Sequence, residues 1–220
     1  MTRPRYNQLQ LGASNVAVLR ARLVAWWRIN GRRFPWRETR DPYQILVAEV
    51  LLHRTRASQV TPLYRRFLHR FRSWQQVAAA RPSDLKRLLR PLGLEWRVAR
   101  LHRMAREIVD RFRGRTPRTR AQLESLSGVG QYKANALKCF AYGEPEALLD
   151  TNTVRVLSRL RGLKKTDASR RSRMYHEEMA RLVDPSRPRE FNFALLDLAA
   201  LVCRPSHPRC GECPVLAFCV

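Results

Sequence analysis

Apolar positions along this chain recur at helical spacing, and no segment alternates with the period of two that a half-buried strand requires. Ser14 is placed to cap a first helix running to about Asn30, with Val16, Leu19, Leu23, Trp26 and Trp27 on one stripe. Gly31 to Arg37 reads as a basic aromatic turn. Asp41-Pro42 then supplies an N-cap and a first-turn proline for a helix from Tyr43 to about Thr55. Amphipathic patterning predicts further helices over Gln59–Phe71, Trp74–Ala80, Pro82–Leu89 and Glu95–Phe112, the last with Val98, Leu101, Met104, Ile108 and Val109 inward. Arg118–Leu126 leads into a glycine turn and a helix beginning near Gln131. Helices at about Thr151–Leu160, Ser169–Val183 and Arg189–Val202 follow. The expected class is all-α. Met1 to Gly12 is polar and basic, and reads as a loose arm.

One stretch stands out. Leu126-Ser127-Gly128-Val129-Gly130-Gln131 sets two glycines between apolar runs, which suits a tight hairpin joining two helices. Both glycines can take backbone angles closed to other residues and can approach a surface closely. The helix after them points its free N–H groups outward, where a phosphate can sit. Asp150 then stands at the expected N-terminus of the next helix, as a plain cap, a working carboxylate, or both. Glu49 is a second carboxylate in an unusual setting, inside Ile45-Leu46-Val47-Ala48-Glu49-Val50-Leu51-Leu52. Full burial would be costly. It either opens onto a cavity or finds a partner, or it lies on an exposed stripe paired with Arg54.

Charge narrows the choice of partner. The 220 residues hold 43 Lys and Arg against 18 Asp and Glu, a net charge of +25. An excess that large favours a polyanion over a merely soluble basic surface, so the phosphate at the hairpin is expected to belong to nucleic acid. A hydrophobic share of 45% supports a real core, in one large domain or two small lobes. No run of about eighteen apolar residues suggests a membrane span, and Met1-Thr2-Arg3-Pro4-Arg5 lacks the apolar core of a signal peptide. A cytoplasmic, nucleoid-associated protein is expected.

Four of the five cysteines close the chain: Cys203, Cys210, Cys213 and Cys219, spaced Cys-x6-Cys-x2-Cys-x5-Cys. They are not spread as a secreted disulfide framework would be. Soft thiolates this close call for a metal partner, an iron–sulfur cluster or zinc. Cys139, apart from them, reads as a small core residue.

Hairpin, following aspartate and cysteine loop together resemble the helix-hairpin-helix–Gly/Pro–Asp (endonuclease III-like) superfamily of DNA glycosylases, from about Phe34 to Cys219. Within it the chain is most similar to the mismatch-specific thymine glycosylases, which remove T or U opposite G. The residues carrying that likeness are Phe34-Pro35-Trp36-Arg37, Arg40-Asp41-Pro42-Tyr43, Glu49-Val50-Leu51-Leu52-His53-Arg54-Thr55, Gly130-Gln131-Tyr132 and Phe191-Asn192-Phe193. The resemblance implies a two-lobed all-α fold. Residues 34–144 would form a helical barrel domain with the hairpin; residues 1–33 and 145–220 would form the second lobe with an iron–sulfur loop at 203–219. It implies one 4Fe–4S cluster on Cys203, Cys210, Cys213 and Cys219. Its partner would be double-stranded DNA holding a mismatched or damaged base, met by a monomer. With the chain ending at Val220, the extra domain by which adenine glycosylases read 8-oxoguanine is expected to be missing.

Residue roles are implied in the same way. DNA contact falls to Gly128, Val129, Gly130, Gln131 and Lys133, and to His53 and Arg54, which would fill the gap left by a flipped base or bond to the opposite guanine. Tyr132 stands where bifunctional enzymes carry the lysine that forms a Schiff base. A phenol cannot form that imine, so Tyr132 would instead line the base pocket of a monofunctional enzyme. Lys133 lies about 100° further round the helix and is expected to contact phosphate or lie exposed. Asp150 would stabilise the developing sugar cation or activate water. Glu49 matches the acid of adenine glycosylases and would here hydrogen-bond the base or organise water. Ser127 replaces the usual proline of the hairpin and is expected to loosen the turn slightly. Three alternatives stay open. The first is an adenine glycosylase acting on A·G or A·8-oxoguanine, which Glu49 and Asp150 allow but Tyr132 and His53-Arg54 oppose. The second is a bifunctional glycosylase/lyase working through Lys133. The third is a non-enzymatic iron–sulfur DNA-binding module, which would need neither Asp150 nor a carboxylate in an apolar helix.

Overall fold

A computed structural model describes residues 12–93 and 95–220. The expected N-terminal arm, Gly12 apart, lies outside the described residues. In chain order the α-helices are α1 (Ala13–Asn30), α2 (Pro35–Glu38), α3 (Pro42–Leu51), α4 (Ala57–Arg70), α5 (Trp74–Ala79), α6 (Pro82–Leu89), α7 (Glu95–Phe112), α8 (Arg120–Glu124), α9 (Gln131–Tyr142), α10 (Thr151–Arg161), α11 (Arg173–Leu182) and α12 (Pro188–Leu201). Short 3-10 turns complete the fold, and no strand occurs among the described residues. None of their helices is long and apolar enough to cross a membrane. The chain divides into two compact units, Arg33–Tyr142 and the residues up to Arg32 joined with Gly143–Val220.

In the Arg33–Tyr142 unit, α3 is the central element. The Asp41 side chain accepts from the Tyr43 N–H at 2.9 Å, and Pro42 occupies the first turn, where a missing N–H costs nothing. Tyr43, Ile45 to Ala48, Val50 and Leu51 are buried, so the helix is covered nearly all round by α2, α4, α7 and α9. It stops at Leu51, four residues short of the expected end, and the turn that follows holds Arg54 at φ +58. Helix α7 has the expected bounds, and α5 and α6 pack along it. Its buried stripe is Val98, Leu101, Met104, Ala105 and Ile108; Val109 sits half-buried at the edge. The basic aromatic turn contains α2, where Phe34 and Trp36 stack at 4.9 Å.

In the other unit, α12 packs against α1 and α10, with α11 beside α10. Leu19, Leu23, Val154, Leu157, Phe191, Leu195 and Leu198 belong to its core. Helix α1 begins at Ala13, with Gly12 as its cap and no side-chain bond, so Ser14 does not cap it. The helix expected over 169–183 is broken: a 3-10 turn spans Asp167–Arg171, Ser172 is extended at ψ 127, and α11 follows. Thr166 and Ser169 bond each other's backbone, the local competition with helix that hydroxyl residues offer. Asp197 is fully buried. Its carboxylate accepts from Trp27 Nε1 at 3.0 Å, the Arg32 N–H at 2.8 Å and Arg32 Nε at 2.7 Å, tying the end of α1 to α12. Asp197→Ala strands these donors, and urea melts should show a loss of about 1–3 kcal/mol, less in Asp197→Asn, which keeps an acceptor.

Candidate nucleic-acid interface and capped aspartate

The hairpin is built by short backbone turns. Leu126 N–H and Val129 N–H each bond back three residues, at 3.1 Å, and Ala134 N–H closes the first turn of α9 on the Gly130 carbonyl. Gly128 has φ +80, a region that glycine alone enters freely, and a Cβ there would meet Arg100 Cδ at 3.3 Å. Gly130 uses no such angle, and nothing lies within 4 Å of an added Cβ. Its smallness leaves open surface at the helix N-terminus. Val129 turns its side chain into the core, so only its backbone faces outward. Gln131 is exposed and Tyr132 half-buried. Ser127 does not loosen the turn: its N–H and its Oγ both donate to the Glu107 carboxylate, at 2.7 and 2.5 Å. Proline has no N–H to offer, whereas serine makes two charge-assisted bonds here.

Lys133 departs from its expected place. It is half-buried, and its Nζ donates to the Gly128 carbonyl at 2.6 Å, inside the hairpin. Burial pulls its pKa down, opposed by the charge of Glu49 and reinforced by Arg100 and Arg97. Glu49 is half-buried on α3, and its charge is felt by Lys133. His53, in the turn after α3, has a lowered pKa, first from burial and then from Lys133, Arg97, Arg54 and Arg100. Its Nδ1 is buried without a hydrogen-bond partner. Arg54 is exposed and holds the left-handed angle noted above, a strained conformation for a residue that carries a Cβ.

What holds that turn is Arg97, which the sequence pattern did not announce. Only 2% exposed, it donates to the Leu51 carbonyl at 2.7 Å, the His53 carbonyl at 2.5 Å and Thr55 Oγ1 at 2.9 Å. These include carbonyls that the end of α3 leaves without helical partners. The only signal in the sequence is an arginine beside Val98 on the inward edge of α7.

In the second unit Asp150 caps α10. Oδ1 accepts from the Asn152 N–H at 2.8 Å and the Thr153 N–H at 2.7 Å; Oδ2 accepts from Asn152 Nδ2 at 3.0 Å. The Asp150 N–H donates in return to Thr153 Oγ1 at 2.9 Å, closing a capping box. Asn152 Oδ1 accepts in turn from Arg155 Nη1 at 3.1 Å, and buried Arg155 donates to the carbonyls of Ala199 and Cys203, both at 2.9 Å. A bonded path therefore runs from the first residue of the cysteine loop to the carboxylate. Neither Asn152 nor Arg155 was legible as part of the site, although their spacing of three on one helix places them together.

Cys203, Cys210, Cys213 and Cys219 fold back on one another. The Cys213 and Cys219 thiols are pushed up first by burial, and each also feels Cys203 and Cys210. Arg159 donates to Cys203 Sγ at 3.3 Å and to the Arg204 carbonyl at 2.7 Å. The donor set is all soft sulfur with a guanidinium beside it, which suits an iron–sulfur cluster. Among the described residues, no group of three or more His, Cys, Asp or Glu meets the geometry of a single metal ion. Cys139 is buried in α9.

The fold is similar to that of a solved thermostable thymine-DNA glycosylase, at a TM-score of 0.89 and 32% identity over 94% of this chain and 97% of that one. The chain belongs to the HhH-GPD superfamily of base excision DNA repair proteins, whose model matches residues 47–182. It is 39% identical over 217 residues to the thymine-DNA glycosylase of Aeropyrum pernix, covering 96% of this chain and 97% of that protein. It is 33% identical to the thymine/uracil-DNA glycosylase of Methanothermobacter thermautotrophicus, covering 90% of each.

Two outcomes follow from this geometry. Arg97→Met should cost about 1–3 kcal/mol in urea melts by stranding the Leu51 and His53 carbonyls, with partial recovery in Arg97→Lys. His53 titrates lower in the folded chain than in the unfolded one, so the unfolded chain takes up the proton first as the medium is acidified. Stability should fall as pH drops through about 6.5, and His53→Gln should remove that part of the pH dependence.

Proposed function

We propose that this chain is a monofunctional DNA glycosylase that hydrolyses the N-glycosidic bond of T or U opposite G. Its relatives named for thymine and uracil match it over nearly their whole length. The observation that carries the chemistry is the Asp150 carboxylate, fixed by the Asn152 and Thr153 donors at the head of α10. A fixed anion is suited to a sugar that becomes positive as the base leaves. The base is taken out of the duplex first, since the bond cannot be reached in the stack. The C1′–N bond breaks with its electrons going to the base; water then bonds to C1′, and Asp150 orients that water or receives its proton. Tyr132 lines the base pocket, and Glu49 hydrogen-bonds the base or orders water there. Gly128, Gly130 and Gln131 present backbone to phosphate, with His53 and Arg54 toward the gap or the opposite guanine. The bond from Lys133 Nζ to the Gly128 carbonyl supports the monofunctional reading. Cys203, Cys210, Cys213 and Cys219 would hold a 4Fe–4S cluster, which when bound cross-links the loop. The two compact units correspond on this reading to a barrel lobe and a cluster lobe.

Incubation with G·T and G·U duplexes should release base and leave an intact abasic strand that breaks only after alkali, with A·G and A·8-oxoguanine as the contrasting substrates. Asp150→Asn should keep DNA binding and lose base release by about a hundredfold or more. Efficient borohydride trapping of wild type would refute the monofunctional assignment and make Lys133 the nucleophile to test. Purified protein should contain iron and absorb broadly near about 400 nm; one zinc and no iron would remove the cluster from the reading.

A further inference from the structure

We infer that Trp96 and Arg100, on the first turns of α7, form a stacking platform for an unpaired nucleobase, a contact additional to those assigned above to the hairpin backbone and to His53–Arg54. The inference rests on the reading of this chain as a DNA-acting enzyme. Trp96 is 37% exposed, whereas Trp36 and Trp74 of the same unit are 7% and 1% exposed. An indole left open to water is a large apolar surface with something to gain from being covered. Its neighbours say by what. The Arg100 guanidinium lies 4.8 Å from its ring centroid. His53 meets it edge-on, with ring centroids 5.3 Å apart and an interplanar angle of 84°. Arg100 also reaches the hairpin, its Cδ being 3.3 Å from where a Cβ on Gly128 would stand. His53, Trp96, Arg100 and Gly128 thus form one continuous row within a single compact unit.

The chemistry of that row is an aromatic face set among cations. Arg54, Arg97 and Lys133 lie near enough to its His53 end for their charges to bear on the imidazole. An apolar peptide would gain from the indole but nothing from the cations. A nucleotide supplies a π-face for the ring and a phosphate for the charges. A fully paired duplex keeps its base faces stacked on each other, so the ligand is a base that has lost its neighbour, as happens when an enzyme opens the duplex. The platform acts on binding and on preference for opened DNA.

The test is binding, by fluorescence anisotropy, to a duplex with a non-cleavable 2′-fluoro thymidine opposite G and to the same duplex fully paired. Wild type, Trp96→Phe, Trp96→Ala and Arg100→Gln are compared. Trp96→Ala should weaken mismatch binding by about 10- to 100-fold and leave paired-duplex binding unchanged. Its salt dependence should match wild type, because no phosphate contact is removed. Trp96→Phe should retain most of the affinity, and Arg100→Gln should lose part of it. Equal losses on both duplexes, or mismatch preference intact in Trp96→Ala, would overturn the platform alone. A wild type with no mismatch preference would overturn the functional reading and the platform with it. Thermal melts of each variant separate lost binding from lost folding.

Discussion

The Arg33–Tyr142 unit depends on one buried cation. Arg97 carries its charge into the core and spends it on the carbonyls of Leu51 and His53 and on Thr55. A guanidinium without such acceptors would be expelled or would unfold its surroundings. With them it ends α3, and it fixes the turn in which Arg54 is held at φ +58. Everything that this unit presents around that turn follows: His53 against Trp96, Trp96 under Arg100, and Arg100 against the glycine of the hairpin. A turn held from beneath in this way keeps a strained conformation that the surrounding structure over-determines.

The second unit uses the same economy of polar bonds. The aspartate at the head of α10 is held by local donors, yet its orientation is set at a distance. Asn152 bridges it to Arg155, and Arg155 is held by the carbonyls that lead into the cysteine loop. A carboxylate on a free rotamer would sample several positions. Here both of its oxygens are engaged by donors of the helix it caps, so the cap itself fixes the carboxylate.

Charge has different meanings at different depths. Most of the described arginines are exposed, on helices and in the turns between them, where they make a diffuse field for a polyanion. A few, Arg97 and Arg155 among them, are buried and act as fixed struts. Lys133 falls between: half-buried, bonded to the hairpin carbonyl, and balanced between the charges of Glu49 and Arg100. Serine in place of the hairpin proline shows the same shift of meaning, since its worth comes from Glu107 twenty residues earlier.

Helix positions, the hairpin, the capping aspartate and the cysteine spacing were legible in the amino-acid order because each rests on contacts between near neighbours. Asp41 caps α3 and Asp150 caps α10 through bonds to the next two or three residues, and the Gly128 turn closes over as short a span. The end of α3 at Leu51, the inward course of Lys133 and the tie from Ser127 to Glu107 were decided by tertiary structure. So was the division of the arginines into surface charge and buried strut. An arginine's role depends on which carbonyls lie within reach, and those belong to segments tens of residues away: Arg97 to residues 51–55, Arg155 to Ala199 and Cys203. Periodicity reports which face of a helix is apolar; it carries no record of the polar partner waiting on the other side of the core.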